Sequence, residues 1–228
     1  KNSILDIACG RGGDIHKFYF AEADFYVGID IDNYNLTTQM NGAIMRYNQF
    51  KEQYPAFPKM DFIHADAGAL LTYEAQVRAL GGMSSDNGKL IKKWFDNKFK
   101  FDRVNCQFAL HYFLKNETIW NNFCENIKNH LKPGGYALFS TWDGVRITEL
   151  LGNKEKFTTY FTNKEGQKKK FIEIIKEYGD IDTSKVIGLG NSIRVHNTTF
   201  MLENTYFTEF LVDPRFVIKE FDKKYQEK

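Results

Sequence analysis

An apolar run at the start of the chain, from Ser3 to Ile7, breaks into a glycine-rich turn spanning residues 8–14, and a helix-like stretch begins at Ile15. Runs of this length rich in branched residues are typical of a buried strand in a parallel sheet. Glycines allow the backbone to approach a ligand where any Cβ would collide. A strand, a glycine turn and a helix in this order predict a Rossmann-like nucleotide-cofactor site.

The carboxylates around this turn narrow the choice of ligand. The turn lacks the G-x-G-x-x-G spacing of a dinucleotide site and carries acids at Asp6 and Asp14. Two carboxylates repel a pyrophosphate but suit the ammonium and sulfonium groups of S-adenosylmethionine. Asp30 ends a second predicted strand, from Phe25 to Ile31, near the spacing at which an acid meets ribose hydroxyls. Isolated glycines and aspartates are ordinary turn and helix-cap residues, but this ordered set favours the methyl donor over NAD.

Bulk properties limit the function classes. With 228 residues and 43% hydrophobic content, the chain is long enough for one large domain. A net charge of +2 is too small to bind nucleic acid through an overall field, so any basic surface is local. Cys9, Cys106 and Cys124 are an odd number without metal-ligand spacing, which argues for reduced thiols and against a zinc site. No apolar stretch reaches the ~20 residues of a membrane span, and no signal peptide precedes the first strand, so we expect an intracellular protein without a membrane partner or a metal.

Strands and helices are predicted to alternate as far as Thr141, which indicates an α/β fold with a doubly wound, mostly parallel sheet. Asp66 follows the third strand, so we expect it to share a crevice with Asp30 at the carboxyl ends of the strands. The further elements predicted are a helix from Leu36 to Tyr54, a strand from Met60 to Ala65, a helix-like segment at 70–100 interrupted by a mobile surface insertion from Gly81 to Gly88, a strand from Phe101 to Cys106, a helix from Thr118 to Leu131, and a strand from Tyr136 to Ser140.

Beyond Thr141 the alternation weakens and β-rich segments follow. Runs from Ile193 to Leu202 and from Thr205 to Leu211 resemble a hairpin around Glu203 and Asn204. Lysines gather at Lys164 and at residues 168–170. Such a cluster is either a solvated face or a contact with RNA phosphates.

Four motifs occur in order along most of the chain. They are L-D-x-x-C-G-[KR]-G-G-D from Leu5 to Asp14, C-Q-F-x-x-H-Y from Cys106 to Tyr112, L-x-P-G-G from Leu131 to Gly135, and E-[FY]-L-V from Glu209 to Val212. With these motifs the sequence resembles the mRNA cap guanine-N7 methyltransferases, most closely those of large DNA viruses. The first and third motifs occur in many methyltransferases, whereas the second and fourth are more specific.

The resemblance implies a class I S-adenosylmethionine-dependent methyltransferase domain over residues 1–228, with a cofactor-binding core at 1–141 and β-rich substrate-binding additions at 142–228. The implied reaction is methyl transfer to N7 of the guanine cap of mRNA. A methyltransferase acting on a small molecule or a protein, or a noncatalytic binding module, remain alternatives on the same fold. A NAD-linked oxidoreductase fits least, because this chain lacks the glycine spacing of a dinucleotide site and an obvious catalytic pair.

The resemblance also implies roles for individual residues. Ala8 stands where the family has glycine. Catalytic positions fall on His111, Tyr112 and Glu209; cofactor contacts on Asp6, Ala8, Gly10, Asp30, Asp66, Gln107 and Tyr112; and cap contacts on Arg11, Lys17, Arg46, His111 and Glu209.

Elementary chemistry supports part of this assignment. A carboxylate at Glu209 accepts hydrogen bonds from guanine N1 and N2 groups, and Arg11 offers charge-assisted bonds to phosphates. Guanine N7 carries a free lone pair, so His111 is expected to orient the cap and not to act as a base. Ordinary alternatives are a structural histidine at 111 and core aromatics at Phe108 and Phe113.

The implied partners are a capped RNA 5′ end and triphosphatase and guanylyltransferase domains in the same polypeptide or complex. The implied location is the host cytoplasm or the virion for a viral protein and the nucleus for a cellular one. A family segment before the first strand, and family strands that follow the E-F-L-V motif, are expected to lie outside this chain, which is therefore interpreted as a fragment with weak cofactor binding or poor activity on its own.

Overall fold

The computed structural model describes residues 2–199, 201–202 and 205–225, and the chain divides into two compact units. The first unit holds the residues up to Ala109 together with Thr118–Ser140. The second holds Leu110–Glu117 and the residues from Thr141 onward.

A five-stranded, wholly parallel sheet in the order β3-β2-β1-β4-β5 forms the centre of the first unit, which confirms the predicted doubly wound α/β class. Every residue of β1 is buried, as expected for a parallel strand covered on both faces. The order reverses between β1 and β4, and ligands of such sheets bind at the carboxyl ends beside this point. The strands are β1 (Ser3–Ile7), β2 (Phe25–Asp30), β3 (Lys59–His64), β4 (Phe101–Gln107) and β5 (Leu131–Ser140).

The helix predicted from Leu36 to Tyr54 is wrong as a single element. The chain forms α2 (Asn33–Thr37) and α3 (Ala43–Gln53), separated by a bend. A Cβ at Gly42 would lie 2.4 Å from the carbonyl oxygen of Thr38, so this close approach requires glycine. Asn41 adopts a left-handed φ of 63°, which ends regular helix geometry there.

The mobile insertion predicted at residues 81–88 is also wrong in its second half. Positive φ angles at Gly81 and Gly82 make the predicted turn, but α5 (Ser85–Ile91) begins directly afterwards. The Ser84 side chain caps this helix, and the Asn87 amide bonds both the N–H and the C=O of His64 at 2.9 and 2.8 Å. These bonds tie the segment to β3.

The fifth strand starts five residues before the predicted Tyr136. It pairs with β4 from Leu131, and the register then shifts between the pairs Phe101/Leu131 and Arg103/Tyr136. The Pro-Gly-Gly segment is therefore an irregularity within the strand, whereas it was expected to be a turn before it. The first unit's α-helices are α1 (Ile15–Phe20), α2, α3, α4 (Tyr73–Ala79), α5 and α6 (Glu117–His130), and a π-helical turn (Lys92–Asp96) follows α5.

The second unit contains an antiparallel sheet in the order β6-β7-β8-β9. The predicted pairing of two late strands is confirmed, since β8 and β9 are antiparallel neighbours; the expected turn residues Glu203 and Asn204 lie outside the described residues. Ile147, Ile174, Val195 and Leu211 belong to its apolar core. Its elements are a 3-10 turn (Leu110–Leu114), α7 (Gly144–Leu151), β6 (Lys156–Thr162), β7 (Lys168–Lys176), β8 (Ser192–Asn197), β9 (Phe207–Phe210) and α8 (Pro214–Tyr225).

Within the described part of the chain, each helix is too short or too polar to cross a bilayer.

Candidate active site

The glycine-rich turn after β1 has a backbone shape that few side chains tolerate. Ala8, Gly10 and Gly12 all have left-handed φ angles, of 57°, 54° and 67°. A Cβ at Gly12 would lie 3.1 Å from Ile15 and 3.2 Å from Ala43, so glycine allows the turn to pack against the start of α3. The N–H of Cys9 donates to the carbonyl of Ile29 at 3.0 Å, which fixes the turn beside β2.

The side chain of Asp30, at the end of β2, binds the backbone of this turn. Its carboxylate accepts from the backbone N–H groups of Gly10 and Asp32 at 2.7 and 2.9 Å. Burial raises the pKa of Asp30, and the two N–H bonds act in the opposite direction. Each carboxylate oxygen has a further lone pair, so Asp30 is able to accept hydrogen bonds from ribose hydroxyls while it holds the turn.

Asp6 is buried beneath the turn with both oxygens occupied. It accepts from the Tyr26 hydroxyl and from the Asn105 amide, each at 2.7 Å. Burial raises the pKa of Asp6 to about 7, and the charges of Asp14 and Asp30 add to this effect. The structure gives Asp6 a bracing position, and its contact with a cofactor remains a prediction.

A chain of hydrogen bonds extends from Asp6 to the end of β5. The Gln107 amide donates to Asn105 at 2.7 Å and accepts from the Ser140 hydroxyl at 2.7 Å. Ser140 also accepts from the N–H of Phe108, whose φ of 51° is left-handed. Gln107 was predicted as a cofactor contact, whereas Asn105 and Ser140 were missed because no pattern marks single polar residues inside strands.

Asp66 lies in a loop after β3 that two buried amides hold in place. Its carboxylate accepts from Gly68 N–H at 2.7 Å, and its backbone is bonded in both directions by Gln76 at 2.8 Å. Asn126 donates to the carbonyls of Ala67 and Ala69. Gln76 and Asn126 are 0% and 1% exposed, and their amides satisfy the buried backbone groups of this loop; sequence reasoning missed both.

The predicted phosphate-binding cations of the first unit have separate partners. Arg11 donates to Asn35 at 3.3 Å, and Lys17 forms an ion pair with Asp14 at 2.6 Å. Arg46, in α3, donates to the carbonyl of Asn41 at 3.1 Å. No bond among the described residues links these three cations through a shared acceptor.

The residues around the turn fit S-adenosylmethionine better than a phosphate-bearing cofactor. Asp6 lies buried beneath the turn and Asp30 bonds the N–H of Gly10 within it, and the charges of Asp14 and Asp30 raise the pKa of Asp6. Such a site attracts ammonium and sulfonium groups and repels pyrophosphate. Among the described residues, no group of three His, Cys, Asp or Glu side chains has metal-binding geometry.

His111 and Glu209 form a buried polar pair in the second unit, and both were predicted from sequence. His111 Nε2 and Glu209 Oε2 lie 3.6 Å apart, too far for a hydrogen bond, with 3% and 5% of each residue exposed. Neither atom has a hydrogen-bond partner among the described residues. Burial lowers the pKa of His111 to about 4 and raises that of Glu209 to about 7, so the two groups do not form an ion pair at neutral pH.

Local structure explains how these two side chains meet. His111 lies in the 3-10 turn, and its Nδ1 is 3.4 Å from the Thr141 hydroxyl. Glu209 lies on β9 opposite Ile193 of the core, so its side chain points to the buried face of the sheet. Tyr112 is 41% exposed and its ring contacts that of His111 edge-on at 4.2 Å.

The predicted site residues thus fall into two groups. Asp6, Ala8, Gly10, Asp30 and Asp66 surround the carboxyl ends of β1 to β3 in the first unit, as expected. Gln107, at the end of β4, joins them through the hydrogen-bond chain. His111, Tyr112 and Glu209 are brought together in the second unit.

Comparisons with known proteins agree with the motifs. A family model described as the mRNA (guanine-N(7))-methyltransferase domain matches residues 1–171. A probable mRNA-capping enzyme of Acanthamoeba polyphaga mimivirus is 44% identical over 223 residues, which cover 98% of this chain and 19% of that protein. An mRNA cap guanine-N(7) methyltransferase of Caenorhabditis elegans is 31% identical over 153 residues, covering 67% of this chain and 34% of that protein.

A structural comparison supports the fold alone. An S-adenosylmethionine-dependent methyltransferase from Clostridium acetobutylicum superposes with a TM-score of 0.51 and 12% identity, covering 97% of this chain and 71% of that one. The chain spans 19% of the mimiviral relative and 34% of the nematode relative.

Proposed function

The chain belongs to the mRNA (guanine-N7)-methyltransferase family, and we propose that it transfers a methyl group from S-adenosylmethionine to N7 of the guanine cap of mRNA. The reaction product is the cap 0 structure. Family membership supports the reaction type, and the buried pair of the second unit supports the choice of substrate.

The observation that carries the proposal is the unpaired carboxylate oxygen of Glu209 beside His111 Nε2. A buried polar atom without a partner costs about 1–3 kcal/mol, so such atoms mark places where a ligand completes the bonding. Guanine presents N1–H and N2–H donors on one edge. An ionised Glu209 accepts from both, and these bonds lower its pKa from about 7.

The transfer needs no general base, because guanine N7 already has a free lone pair. When bound, S-adenosylmethionine supplies an electrophilic methyl group on a sulfonium. The protein then has to align the nucleophile with that group and tolerate positive charge as it moves to the purine. Glu209 places a negative charge beside the purine, and neutral His111 orients it without taking a proton.

The first unit supplies the cofactor site in this proposal. Asp30 binds the ribose hydroxyls, and Asp66 binds the adenine edge. The family pattern assigns Gln107, and Tyr112 of the second unit, to contacts with the methyl donor. Ala8 and Gly10 allow close approach of the backbone, since both have the left-handed φ that the turn requires.

Three cations are proposed to bind the cap triphosphate. Arg11 and Lys17 follow the cofactor turn, and Arg46 lies one turn into α3. Lys17 has to exchange its ion pair with Asp14 for a phosphate, which exposed pairs permit because they contribute little stability.

The length of the mimiviral relative supports a wider context. We infer that the domain works beside triphosphatase and guanylyltransferase activities, in one polypeptide or in a complex. Its place of action is then where transcripts are capped: the host cytoplasm or the virion for a viral protein, and the nucleus for a cellular one.

Substitution of Glu209 by Gln tests the assignment. The amide keeps the shape but offers a donor where guanine needs an acceptor. We expect methylation of capped RNA to fall at least ~100-fold, as for loss of a charge-assisted bond with a buried partner left unpaired, while the Kd for S-adenosylmethionine from calorimetry stays within ~2-fold. Equal loss of both would remove Glu209 from the cap site. Glu155→Gln, at an exposed position of the same unit, is the matched control.

A further inference from the structure

The hairpin of β6 and β7 extends beyond the rest of its sheet. Toward the hairpin tip, the pairing of β7 with β8 ends at Ile172, which lies opposite Asn197. The segment from Tyr160 to Lys170 is paired only within the hairpin, after a register shift at Thr158 and Tyr160. Thr198 donates its hydroxyl to the Lys170 carbonyl at 2.6 Å, and beyond this contact no strand of the described sheet continues on that side of β7, so the tip extends past β8.

The hairpin that carries this tip is more basic than the chain as a whole. Residues 154–176 contain seven lysines and three glutamates, an excess of four positive charges, whereas the whole chain carries +2. Lys170 is engaged by Glu173 at 2.6 Å and by the Tyr206 hydroxyl at 2.8 Å. Lys164, Lys168 and Lys169 have no ion pair with a carboxylate among the described residues.

Aromatic rings accompany the lysines. Phe161 and Phe171 are 39% and 41% exposed, with their rings 6.1 Å apart in an edge-on arrangement. With Thr198 and Thr199 they line an open cleft of about 360 Å³. On the other side of the tip, the Lys168 ammonium lies 4.4 Å from the centre of the half-exposed Tyr160 ring. Lysines interleaved with exposed rings are the composition of single-stranded nucleic-acid sites, where phosphates meet cations and bases stack on aromatics.

The strand pairing indicates that the cleft and Glu209 lie on the same face of the antiparallel sheet. Alternation along β6 puts Phe161 on the same face as Phe157, which packs on the core that includes Ile193. Ile193 pairs with both Glu209 and Lys176, so Glu209 shares this face. Lys169 lies seven residues before Lys176 on β7, which corresponds to about 23 Å at ~3.3 Å per residue.

We propose that the β6–β7 tip binds the RNA strand that follows the cap, with Lys164, Lys168 and Lys169 on phosphates and Phe161 and Phe171 stacking on a base. This inference rests on the proposed function for the identity of the polyanion. At ~3.4 Å per stacked nucleotide, about seven nucleotides cover the ~23 Å along β7 from Lys176, which is at the level of Glu209 in the sheet, to Lys169. Capped RNAs shorter than this reach Glu209 but not the tip.

The test compares the double variant Lys168→Glu/Lys169→Glu with Lys219→Glu/Lys223→Glu, which makes the same charge change on exposed residues of α8. KM is measured for the dinucleotide GpppG and for capped RNAs of 5, 10 and 20 nucleotides, at ~50 and ~200 mM salt. Fluorescence anisotropy gives the Kd of an uncapped 20-nucleotide RNA. Phe161→Ala/Phe171→Ala tests stacking.

For the tip variant we expect KM to rise at least ~10-fold on the 20-nucleotide capped RNA and to change less than ~2-fold on GpppG. The slope of log Kd against log salt should fall by about 1.4, which is two phosphates at ~0.7 each. The α8 variant should retain the wild-type values.

Equal KM for GpppG and long RNA in the wild-type protein, or equal losses in the two charge variants, would overturn the inference. Tighter binding to poly-glutamate than to RNA would assign the tip to an acidic protein and would also overturn it. Absence of methylation on every capped substrate would instead contradict the proposed function, and the anisotropy measurement would still judge the tip.

Discussion

Replacement of Glu209 by glutamine should make the free protein more stable at neutral and alkaline pH even as it abolishes the proposed activity. Glu209 is 5% exposed, and its Oε2 has no hydrogen-bond partner among the described residues. Burial without a partner disfavours the charged form and raises its pKa from 4.5 to about 7. A functional carboxylate therefore destabilises the free domain whenever it is ionised.

The size of the effect follows from this pKa. One pKa unit corresponds to ~1.4 kcal/mol, so the shift from 4.5 to about 7 costs the folded protein ~3 kcal/mol when Glu209 is fully ionised. The cost is absent below the ordinary pKa, grows as pH rises toward 7, and is complete above it. A glutamine at this position does not titrate and has no such dependence. Because the glutamine amide also needs partners in this site, we expect the variant to recover about half or more of the ~3 kcal/mol at pH 8.

Urea unfolding at pH 5, 6, 7 and 8 measures this difference directly. The free energy of unfolding of Glu209→Gln minus that of the wild type should be near zero at pH 5 and reach about 1.5–3 kcal/mol at pH 8. Glu155→Gln, at an exposed position, should show no such trend. A difference that is flat across this pH range, or a variant less stable than the wild type at pH 8, would refute the argument that Glu209 is buried and unpaired.

Three further outcomes are expected. At Ala8 the left-handed φ costs a non-glycine residue ~1–2 kcal/mol, and Ala8→Gly removes this strain. Because the unfolded glycine variant has more conformational entropy, only part of the gain remains, and the unfolding free energy should rise by ~0.5–1 kcal/mol. A decrease would show that the Ala8 side chain contributes packing. Asn126→Ala removes three hydrogen bonds to the loop at 67–71, so the unfolding free energy measured in urea should fall by ~3 kcal/mol. Because this loop holds Asp66, the variant should also bind S-adenosylmethionine more weakly in calorimetry. A loss of stability under ~1 kcal/mol would contradict the bracing role of Asn126. Because only ionised Glu209 accepts from both guanine donors, kcat/KM for capped RNA should rise with pH up to about 7 and then level off, and a flat profile from pH 5.5 to 8 would oppose it.

Much of the first unit could be predicted from sequence because its signals are local. Apolar length indicates the buried strand β1, and glycine spacing indicates the turn with Gly10 and Gly12. Asp30 and Asp66 follow from their positions at strand ends. The break at Gly42 was missed because it depends on a close approach to the Thr38 carbonyl, which no helical periodicity reveals.

The second unit was less predictable because its contacts are distant in sequence. His111 and Glu209 are separated by almost a hundred residues, and only resemblance to a family suggested that they act together. The β6–β7 hairpin was missed since its lysines resemble a solvated face, and the irregular register beside Thr158 hides its alternation. Buried amides such as Gln76 and Asn126 gave no signal, because their role depends on backbone groups exposed by a loop.

The central claim is best tested by transfer of labelled methyl from S-adenosylmethionine to RNA, with identification of the methylated atom. The substrates are the same RNA sequence ending in Gppp or in an uncapped triphosphate. The proposed function predicts label only on the capped RNA, at N7 of the terminal guanine, and loss of that label in the Glu209→Gln variant. Label at another atom, equal label on uncapped RNA, or methylation of a protein or small molecule in preference to the cap would contradict it.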